Sequence, residues 1–376
     1  MQTTNPSIAD ELSSPAAEEF SLSEARSIVG EFFTPNPWVY WPDLLLSWTV
    51  GIVCFQLVDF PEWITADAAW RWPIRIVAFV ISSLLIYRCS LFIHELVHIR
   101  AGEFSLFRLV WNTLCGIPFL IPSFVYYTHL DHHRRKHYGT KEDGEYIPLA
   151  RLPAWQILFY LSQIVFIPAL AVIRFGLLTP LTWFSPRLRT WVHQHASSMI
   201  MDPTYIRPLP TQKTLRIMRL QEFLTFLFVW FIGLRTVWAG GILFSEPLPA
   251  TFLLHVYLSG VFIVGINALR TLGAHRWTHL GDSEMTFVEQ LLDSVNYPGK
   301  PLVGGLWAPI GLRFHALHHV FPTMPYHALA EAHRRLMRDL PANSPYRRCC
   351  ANSLREVIVT LWQRARENGR TSPGAS

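Results

Sequence analysis

Long runs of hydrophobic residues, separated by short polar segments, dominate the pattern along this chain. The longest runs cover residues 44–58, 74–93, 223–244 and 252–269. A helix needs about 20 mostly apolar residues to cross the hydrocarbon core of a bilayer. The pattern therefore predicts four transmembrane helices, the first of which is extended at its ends by neighbouring aromatic residues.

Two further apolar segments are interrupted by residues that disfavour a membrane helix. Residues 110–127 contain Pro118 and Pro122, and residues 155–183 contain two prolines and Arg174. Proline removes a backbone donor and kinks or ends a helix. We therefore interpret both segments as interfacial or re-entrant elements, although the second is long enough to form a short hairpin pair.

Clusters of lysine and arginine predict the orientation of the chain in the membrane. They occur at 134–141, at 187–219 and from residue 313 onward, and cytosolic loops of membrane proteins are enriched in these residues. The sequence thus predicts an all-α integral multi-pass membrane protein with about four transmembrane helices, interfacial or re-entrant helices and a cytosolic helical cap. In a bacterium the expected location is the inner membrane.

Composition divides the chain into three parts. Residues 1–36 are rich in Asp and Glu near their start and lack a signal-peptide core, so we expect a disordered acidic tail. Residues 37–345 form the expected membrane domain. Residues 346–376 are expected to form an amphipathic helix and a tail, because Ser353 and Glu356 make a capping box ahead of an apolar stripe. That helix lies either on the membrane surface or against its own domain.

The overall composition excludes several classes of protein. Only 16% of the residues are charged, against roughly 25% in an average soluble domain. The net charge of +5 suits loops at an anionic membrane surface, and we expect no nucleic-acid partner. The five cysteines include no Cys-x-x-Cys pair, which argues against a disulfide framework or a zinc–thiolate site.

Three clusters of histidine carry the candidate chemistry. They form the motifs HELVH, HLDHH and HALHH. Residues three and four apart share one face of a helix, so each cluster can direct its imidazoles toward one point. Imidazole is a good ligand for iron, copper, zinc and nickel, and eight nitrogen donors are too many for one ion and enough for two. The clustered residues are His94, His98, His129, His132, His133, His315, His318 and His319.

These three motifs, in this order and spacing, resemble those of the membrane fatty acid desaturase and hydroxylase superfamily. The similar region runs from residue 43 to residue 340. The resemblance implies a four-helix transmembrane bundle with a cytosolic cap, in which the histidines ligate two iron ions. It also implies O2 as a co-substrate and two electrons, consumed as hydrogen is removed from an unactivated C–H bond of a lipid chain.

The resemblance extends to residues outside the three motifs. Many members use a further histidine after the last transmembrane helix, and His275 fits this position best, with His279 as a rival. Carboxylates commonly orient metal-bound histidines, which adds acidic residues close to the motifs. The weaker candidates for the metal site or its surroundings are His137, Asn267, Glu95, Asp131 and Asp143.

Among the reactions of the superfamily, the resemblance favours desaturation, although the motif spacing does not separate it from hydroxylation. The predicted product is a C=C bond in the acyl chain of a lipid, an acyl-CoA or an acyl-carrier-protein substrate. Hydroxylation or ketolation of a lipid, alkane or carotenoid is the alternative, because both reactions begin with the same hydrogen abstraction. Two other classes of protein account for fewer of the histidine motifs. HELVH also matches a zinc protease motif with Glu95 as general base, and a lipid-binding or transport protein does not need intact motifs.

The electrons are expected to come from a separate protein. The chain shows no haem-binding domain, flavin fingerprint or ferredoxin cysteine set. A ferredoxin- or cytochrome-like donor is therefore the predicted partner, docking on the cytosolic face. Two basic segments can attract an acidic donor. They are residues 134–136 and the arginines Arg334, Arg335 and Arg338.

Overall fold

The computed structural model describes residues 20–100, 102–237, 248, 250–281 and 283–371. Within these ranges the regular elements are helices, and extended segments pair only at isolated bridges. The protein is an all-α integral membrane protein, as the sequence predicts. The α-helices, numbered α1 to α16, run over Leu22–Val29, Pro37–Asp59, Ala68–His98, Ser105–Trp111, His129–His132, Trp155–Ser162, Ile167–Ile173, Thr179–Phe184, Pro186–His195, Gln212–Val237, Ala250–Ala274, Phe287–Asp293, Pro301–Trp307, His315–Val320, Leu329–Asp339 and Leu354–Thr371.

Five helical segments of the described chain are long and apolar enough to cross a membrane. Four of them are α2, α3, α10 and α11, which contain the four predicted spans; residues 238–244 of the third span lie outside the described residues. These helices expose apolar side chains, as expected for contact with lipid tails. Examples are Leu46, Val53, Ile76, Leu220 and Leu254.

The fifth segment, Ile167–Phe184, differs from the re-entrant element predicted within residues 155–183. It consists of α7, a π-helical turn over Arg174–Leu178, and α8. Pro168 and Pro180 do not break it, because each lies in the first turn of its helix. A proline there gives up an N–H that has no partner within the helix anyway.

Arg174 is tolerated in this segment because its guanidinium is fully engaged. It forms a buried ion pair with Glu222 of α10. It also donates to the carbonyl oxygen of Ala196 at 2.6 Å, the hydroxyl of Thr179 at 2.9 Å and the hydroxyl of Ser197 at 3.0 Å. The sequence pattern alone does not show these partners, and without them an arginine in an apolar segment predicts an interruption.

Residues 110–127 form only short elements, as expected for an interfacial or re-entrant segment. After α4 the chain makes a π-helical turn over Asn112–Gly116 and a 3-10 turn over Ser123–Tyr126. The side chain of Asn112 joins them, because its Oδ1 accepts a hydrogen bond from the backbone N–H of Ser123 at 2.9 Å. This connection leads directly into the second histidine motif.

Helix α3 is long enough to carry the first histidine motif out of the membrane core. Its 31 residues span about 46 Å at a rise of about 1.5 Å per residue, against about 30 Å for the hydrocarbon core. His94 and His98 lie in its last two turns. An ion pair ties α3 to α2, with Arg88 Nε and Nη2 each 2.6 Å from a carboxylate oxygen of Asp43.

The N-terminal region is more ordered than the sequence predicts. Residues 1–19 lie outside the described residues, but α1 begins at Leu22, where the side chain of Ser21 caps the helix. Ala25 and Val29 are buried against a cluster that includes residues of α15. An apolar stripe within an acidic segment therefore anchors residues predicted to belong to a disordered tail.

Helix α16 forms as predicted, and it packs on its own domain. Ser353 Oγ accepts a hydrogen bond from the backbone N–H of Glu356 at 3.2 Å. Val357 and Leu361 are buried in clusters with residues from other parts of the chain. The apolar stripe is thus covered by protein, and residues 372–376 lie outside the described residues.

Candidate metal centre

Nine histidines converge in two groups. Within each group, one potential ligand atom of every residue lies within 4.8 Å of those of the others. The first group is His94, His98, His129, His133 and His318, and the second is His132, His275, His315 and His319. The structure therefore brings together all nine residues that the sequence suggests as metal ligands.

Four separate elements supply these side chains. Helix α3 ends with the first motif, α5 and the residue after it carry the second, α14 carries the third, and His275 directly follows α11. Ring contacts connect the elements, with centroid distances of 4.3 Å between His94 and His318 and 4.6 Å between His98 and His133. The three- and four-residue spacings act as predicted, because each motif lies on a helical turn.

The ring nitrogens within each group lie close together, as the ligands of a common metal ion do. Nε2 of His133 lies 3.0 Å from Nε2 of His129 and 3.1 Å from Nε2 of His318. His315 Nε2 makes two similar contacts, at 2.9 and 3.0 Å. Burial and neighbouring histidines lower the pKa of His315 and His318 well below its usual value, which favours the neutral form of these rings.

Both ring nitrogens of His94 are buried without a hydrogen-bond partner among the described residues. Unpartnered buried polar atoms are rare in native proteins and need an explanation. A transition-metal ion would accept lone pairs from converging neutral imidazoles. The donor set therefore fits two nitrogen-ligated metal ions, one in each group.

Buried carboxylates hold the other ring nitrogen of two histidines. Nδ1 of His129 lies 3.0 Å from both carboxylate oxygens of Glu145, and Nδ1 of His132 lies 2.8 Å from Oδ2 of Asp143. Burial alone would raise the pKa of Asp143, but His132 and the backbone N–H groups of Gly139 and Glu145 lower it below its usual range. Such bonds select the tautomer that leaves Nε2 available to a metal.

His275 is held by a small polar network. Its Nδ1 lies 2.8 Å from the hydroxyl of Tyr138 and 3.4 Å from Oδ2 of Asp293. Tyr138 donates to the same Asp293 oxygen at 2.8 Å, and Tyr146 donates to Oδ1 at 3.2 Å. The ring of His275 is thus fixed by residues that no motif contains.

Sequence reasoning missed Glu145, Asp293 and Tyr138, and it ranked Asp143 low. Glu145 follows His129 by 16 residues, and Asp143 follows His132 by 11, so neither partner is a neighbour on the same helix. One signal was present, because the acidic segment at residues 142–145 follows the second motif closely.

The structure separates the two candidates for the ninth histidine. His275 is buried within the second group. The Nε2–H of His279 instead donates to the carbonyl oxygen of Ser283 at 2.7 Å, outside both groups. His137 also lies outside them, with Nε2 2.8 Å from a carboxylate oxygen of Glu142. Neither His279 nor His137 joins the nine converging rings.

Three further candidates have partners other than the nine histidines. Glu95 accepts hydrogen bonds from the hydroxyl of Tyr40 at 2.5 Å and from the backbone N–H of Tyr326 at 3.1 Å. In a zinc protease this carboxylate activates a water molecule. Here the Glu95 carboxylate is instead occupied by its hydrogen bonds to Tyr40 and Tyr326. The other two are Asp131, paired with Arg134 at 2.8 Å, and Asn267, which accepts a hydrogen bond from Arg270 at 3.2 Å.

Long apolar helices together with two sets of converging histidines are the features of a membrane enzyme of the histidine-motif class. The model of the family described as "Fatty acid desaturase" matches residues 70–350, and the chain belongs to this family. It is also 35% identical over 362 residues, 93% of this chain and 96% of the relative, to the "Ceramide hydroxylase" of Caulobacter vibrioides (strain NA1000 / CB15N). No solved structure gives a significant match to the chain.

Proposed function

We propose that this protein is a membrane-bound, O2-dependent di-iron hydroxylase that acts on a ceramide-type lipid. The observation that carries the proposal is the 35% identity to a ceramide hydroxylase along 93% of the chain and 96% of that relative. A match over nearly the full length of both proteins includes the membrane helices as well as the histidine motifs. The nine converging histidines support an oxidative reaction at the same site.

The two histidine groups would each hold one iron ion. Bound iron supplies the one-electron chemistry that activates O2 and removes hydrogen from an unactivated C–H bond. The chain's own residues hold the rings in position: the Nδ1–H groups of His129 and His132 donate hydrogen bonds to the carboxylates of Glu145 and Asp143. Burial of the rings excludes water, which protects a reactive site from side reactions.

Desaturation of an acyl chain is the second candidate. The description of the family, "Fatty acid desaturase", favours it, whereas the spacing of the histidine motifs does not separate the two reactions. The substrate would then be a fatty acyl lipid, an acyl-CoA or an acyl-carrier protein. Hydroxylation is preferred here because the relative named as a hydroxylase matches nearly all of the chain.

Lipid mass spectrometry distinguishes the two reactions. The full chain is expressed in a host that makes ceramides, beside a His318→Ala variant as the inactive control. Hydroxylation predicts ceramides that gain one oxygen atom, only with the unaltered chain. Acyl chains that lose two hydrogen atoms without gaining oxygen would instead identify a desaturase. No change in any lipid would contradict both proposals.

The electrons would come from a separate acidic protein on the cytosolic side. Of the two basic segments predicted to attract it, residues 134–136 and the arginines of α15, the second is already paired with carboxylates. On α15, Arg334 pairs with Glu331, Arg335 pairs with Glu31 and Glu331, and Arg338 pairs with Asp339. These carboxylates already neutralise the arginines that the sequence suggested. An acidic donor would gain little from them.

A nearby cleft offers a better docking surface for the donor. It encloses about 420 Å³, and Asp293, the partner of His275, forms part of its wall. Four arginines line it against Asp293 and two glutamates, which leaves one net positive charge for an acidic partner. The arginines are Arg151, Arg276, Arg348 and Arg364.

A further inference from the structure

Helix α11 contains a buried arginine that the proposed chemistry does not use. Arg270 is 8% exposed, and no carboxylate of the described residues forms an ion pair with it. Its Nη2 donates to Oδ1 of Asn267 at 3.2 Å, and its Nε is buried without a hydrogen-bond partner. Besides Asn267, the guanidinium lies within hydrogen-bonding reach of the Tyr87 side chain. A guanidinium has five N–H donors, so part of its capacity, including Nε, is unused.

A second buried arginine, Arg174, has a structural role, and its partners can be compared with those of Arg270. Arg174, 7% exposed, has an ion pair with Glu222 and three further acceptors. Burying a charge without compensation is costly, and ionisable groups inside membrane helices usually serve a function. The contrast indicates that Arg270 is left incomplete for an acceptor that arrives from outside.

Arg270 also lies close to the histidine groups. Helix α11 ends at Ala274, one residue before His275, so Arg270 precedes this member of the second group by five residues, a rise of about 7.5 Å along a helix axis.

We infer that Arg270 binds the polar end of the lipid substrate, donating hydrogen bonds to the amide carbonyl oxygen of a ceramide-type lipid. This inference rests on the proposed function. Hydrogen bonds from a charged donor to a neutral acceptor are strong in a buried site. By holding the amide beside the histidine groups, Arg270 determines which carbon of the lipid lies next to these groups and is oxidised. This carbon is near the polar end of the lipid.

The test compares Arg270→Met, which removes the donors, with Arg270→Lys, which keeps a charge but loses the planar fork. Leu269→Met is the matched control, because Leu269 is the preceding residue on α11 and is 42% exposed. Each full-length variant is assayed in membranes of a host that supports turnover. The measurements are iron content, initial rate against ceramide concentration, and the position of the new oxygen by tandem mass spectrometry.

The unaltered protein and Leu269→Met are expected to oxidise ceramide at one position with the same KM. Arg270→Met should retain its iron, raise KM about 10- to 100-fold, the range for a lost hydrogen bond to a charged group, and spread the oxygen over neighbouring carbons. Arg270→Lys should fall between them. A purely structural role would lower stability or kcat without moving the position of oxidation.

Several results would overturn the inference. One is an unchanged KM and product position in Arg270→Met with iron retained; if that variant does not fold, the same result in Arg270→Lys counts equally. Another is an effect on a free fatty acid but not on ceramide, which would assign Arg270 to a carboxylate. Absence of any ceramide product from the unaltered protein would contradict the proposed function itself, and Arg270 as an amide-binding residue with it.

Discussion

His132 and Asp143 form a buried pair in which Nδ1 lies 2.8 Å from Oδ2. The same carboxylate accepts hydrogen bonds from the backbone N–H of Gly139 at 3.0 Å and of Glu145 at 2.9 Å. Three donors therefore fix Asp143 in the loop after the second motif, and Asp143 in turn fixes the His132 ring. The orientation of this histidine depends on a loop as much as on the helix that bears it.

Replacing Asp143 by Asn should weaken metal binding. The amide is uncharged and can no longer stabilise the proton on Nδ1 of His132 as a carboxylate does. Loss of such an orienting partner typically costs about 10- to 100-fold in metal affinity or activity. Iron per chain after dialysis against a chelator, together with product formation, measures the effect.

Asp131→Asn provides the control for this prediction. Its carboxylate lies in the same motif but pairs with Arg134 at 2.8 Å, and the Arg134 side chain is largely exposed. An exposed pair contributes little, so iron content and turnover should stay near those of the unaltered protein. Equal losses in the two variants would show that the effect is not specific to the His132 partner.

The sequence predicts the helical features that depend on local spacing. Each histidine motif lies on one helical turn, and rings three and four residues apart share a face. His275 could be selected because it directly follows the last membrane helix. Hydrophobic segments of sufficient length likewise identify α2, α3, α10 and α11, since a bilayer sets the length of a helix that crosses it.

Features that depend on contacts between distant residues escape this reasoning. Asp293 reaches His275 only because extended segments pair at His275 and Ser294. Glu222 neutralises Arg174 across two helices, so the continuous helical segment Ile167–Phe184 cannot be predicted from a pattern that contains proline and arginine. Residues of α1 pack against apolar residues of α15, and the acidic composition of the N-terminal segment does not predict these contacts.

Metal analysis of the purified protein should give two iron ions per chain. Nine imidazoles exceed the capacity of a single ion, and they form two separate groups. His318→Ala removes a residue of the first group and His132→Ala one of the second. Each variant should lose turnover and part of its iron while the apolar helices still insert into the membrane. One zinc ion and no iron would contradict this prediction and favour a protease.

The His275→Ala variant should lose most of its activity and iron, whereas His279→Ala should retain a substantial part of both. His275 lies in the second group, with its ring 4.6 Å from that of His315. His279 binds the Ser283 carbonyl group instead. Product formation and iron content of the two variants decide the matter. Iron lost from the His279 variant and kept by the His275 variant would reverse the assignment.

Charge reversal in the arginine cleft should weaken the use of an acidic electron donor. Arg348 is exposed and lines the cleft, so Arg348→Glu changes the charge there without burying a new group. Turnover is measured in membranes supplied with an acidic ferredoxin and its reductase. At low salt the donor concentration needed for half-maximal turnover should rise about tenfold, which corresponds to about 1.4 kcal/mol.

Arg334→Glu is the matched control for the cleft, because Arg334 is an exposed arginine on α15 that already pairs with Glu331. It should change the donor requirement little. The difference between the two variants should shrink with added salt, since the Debye length falls from about 10 Å at 0.1 M to about 3 Å at 1 M. Equal weakening of donor use by Arg334→Glu and Arg348→Glu would contradict recognition of the donor through the cleft. Positive charge anywhere on this face would then be sufficient to bind the donor.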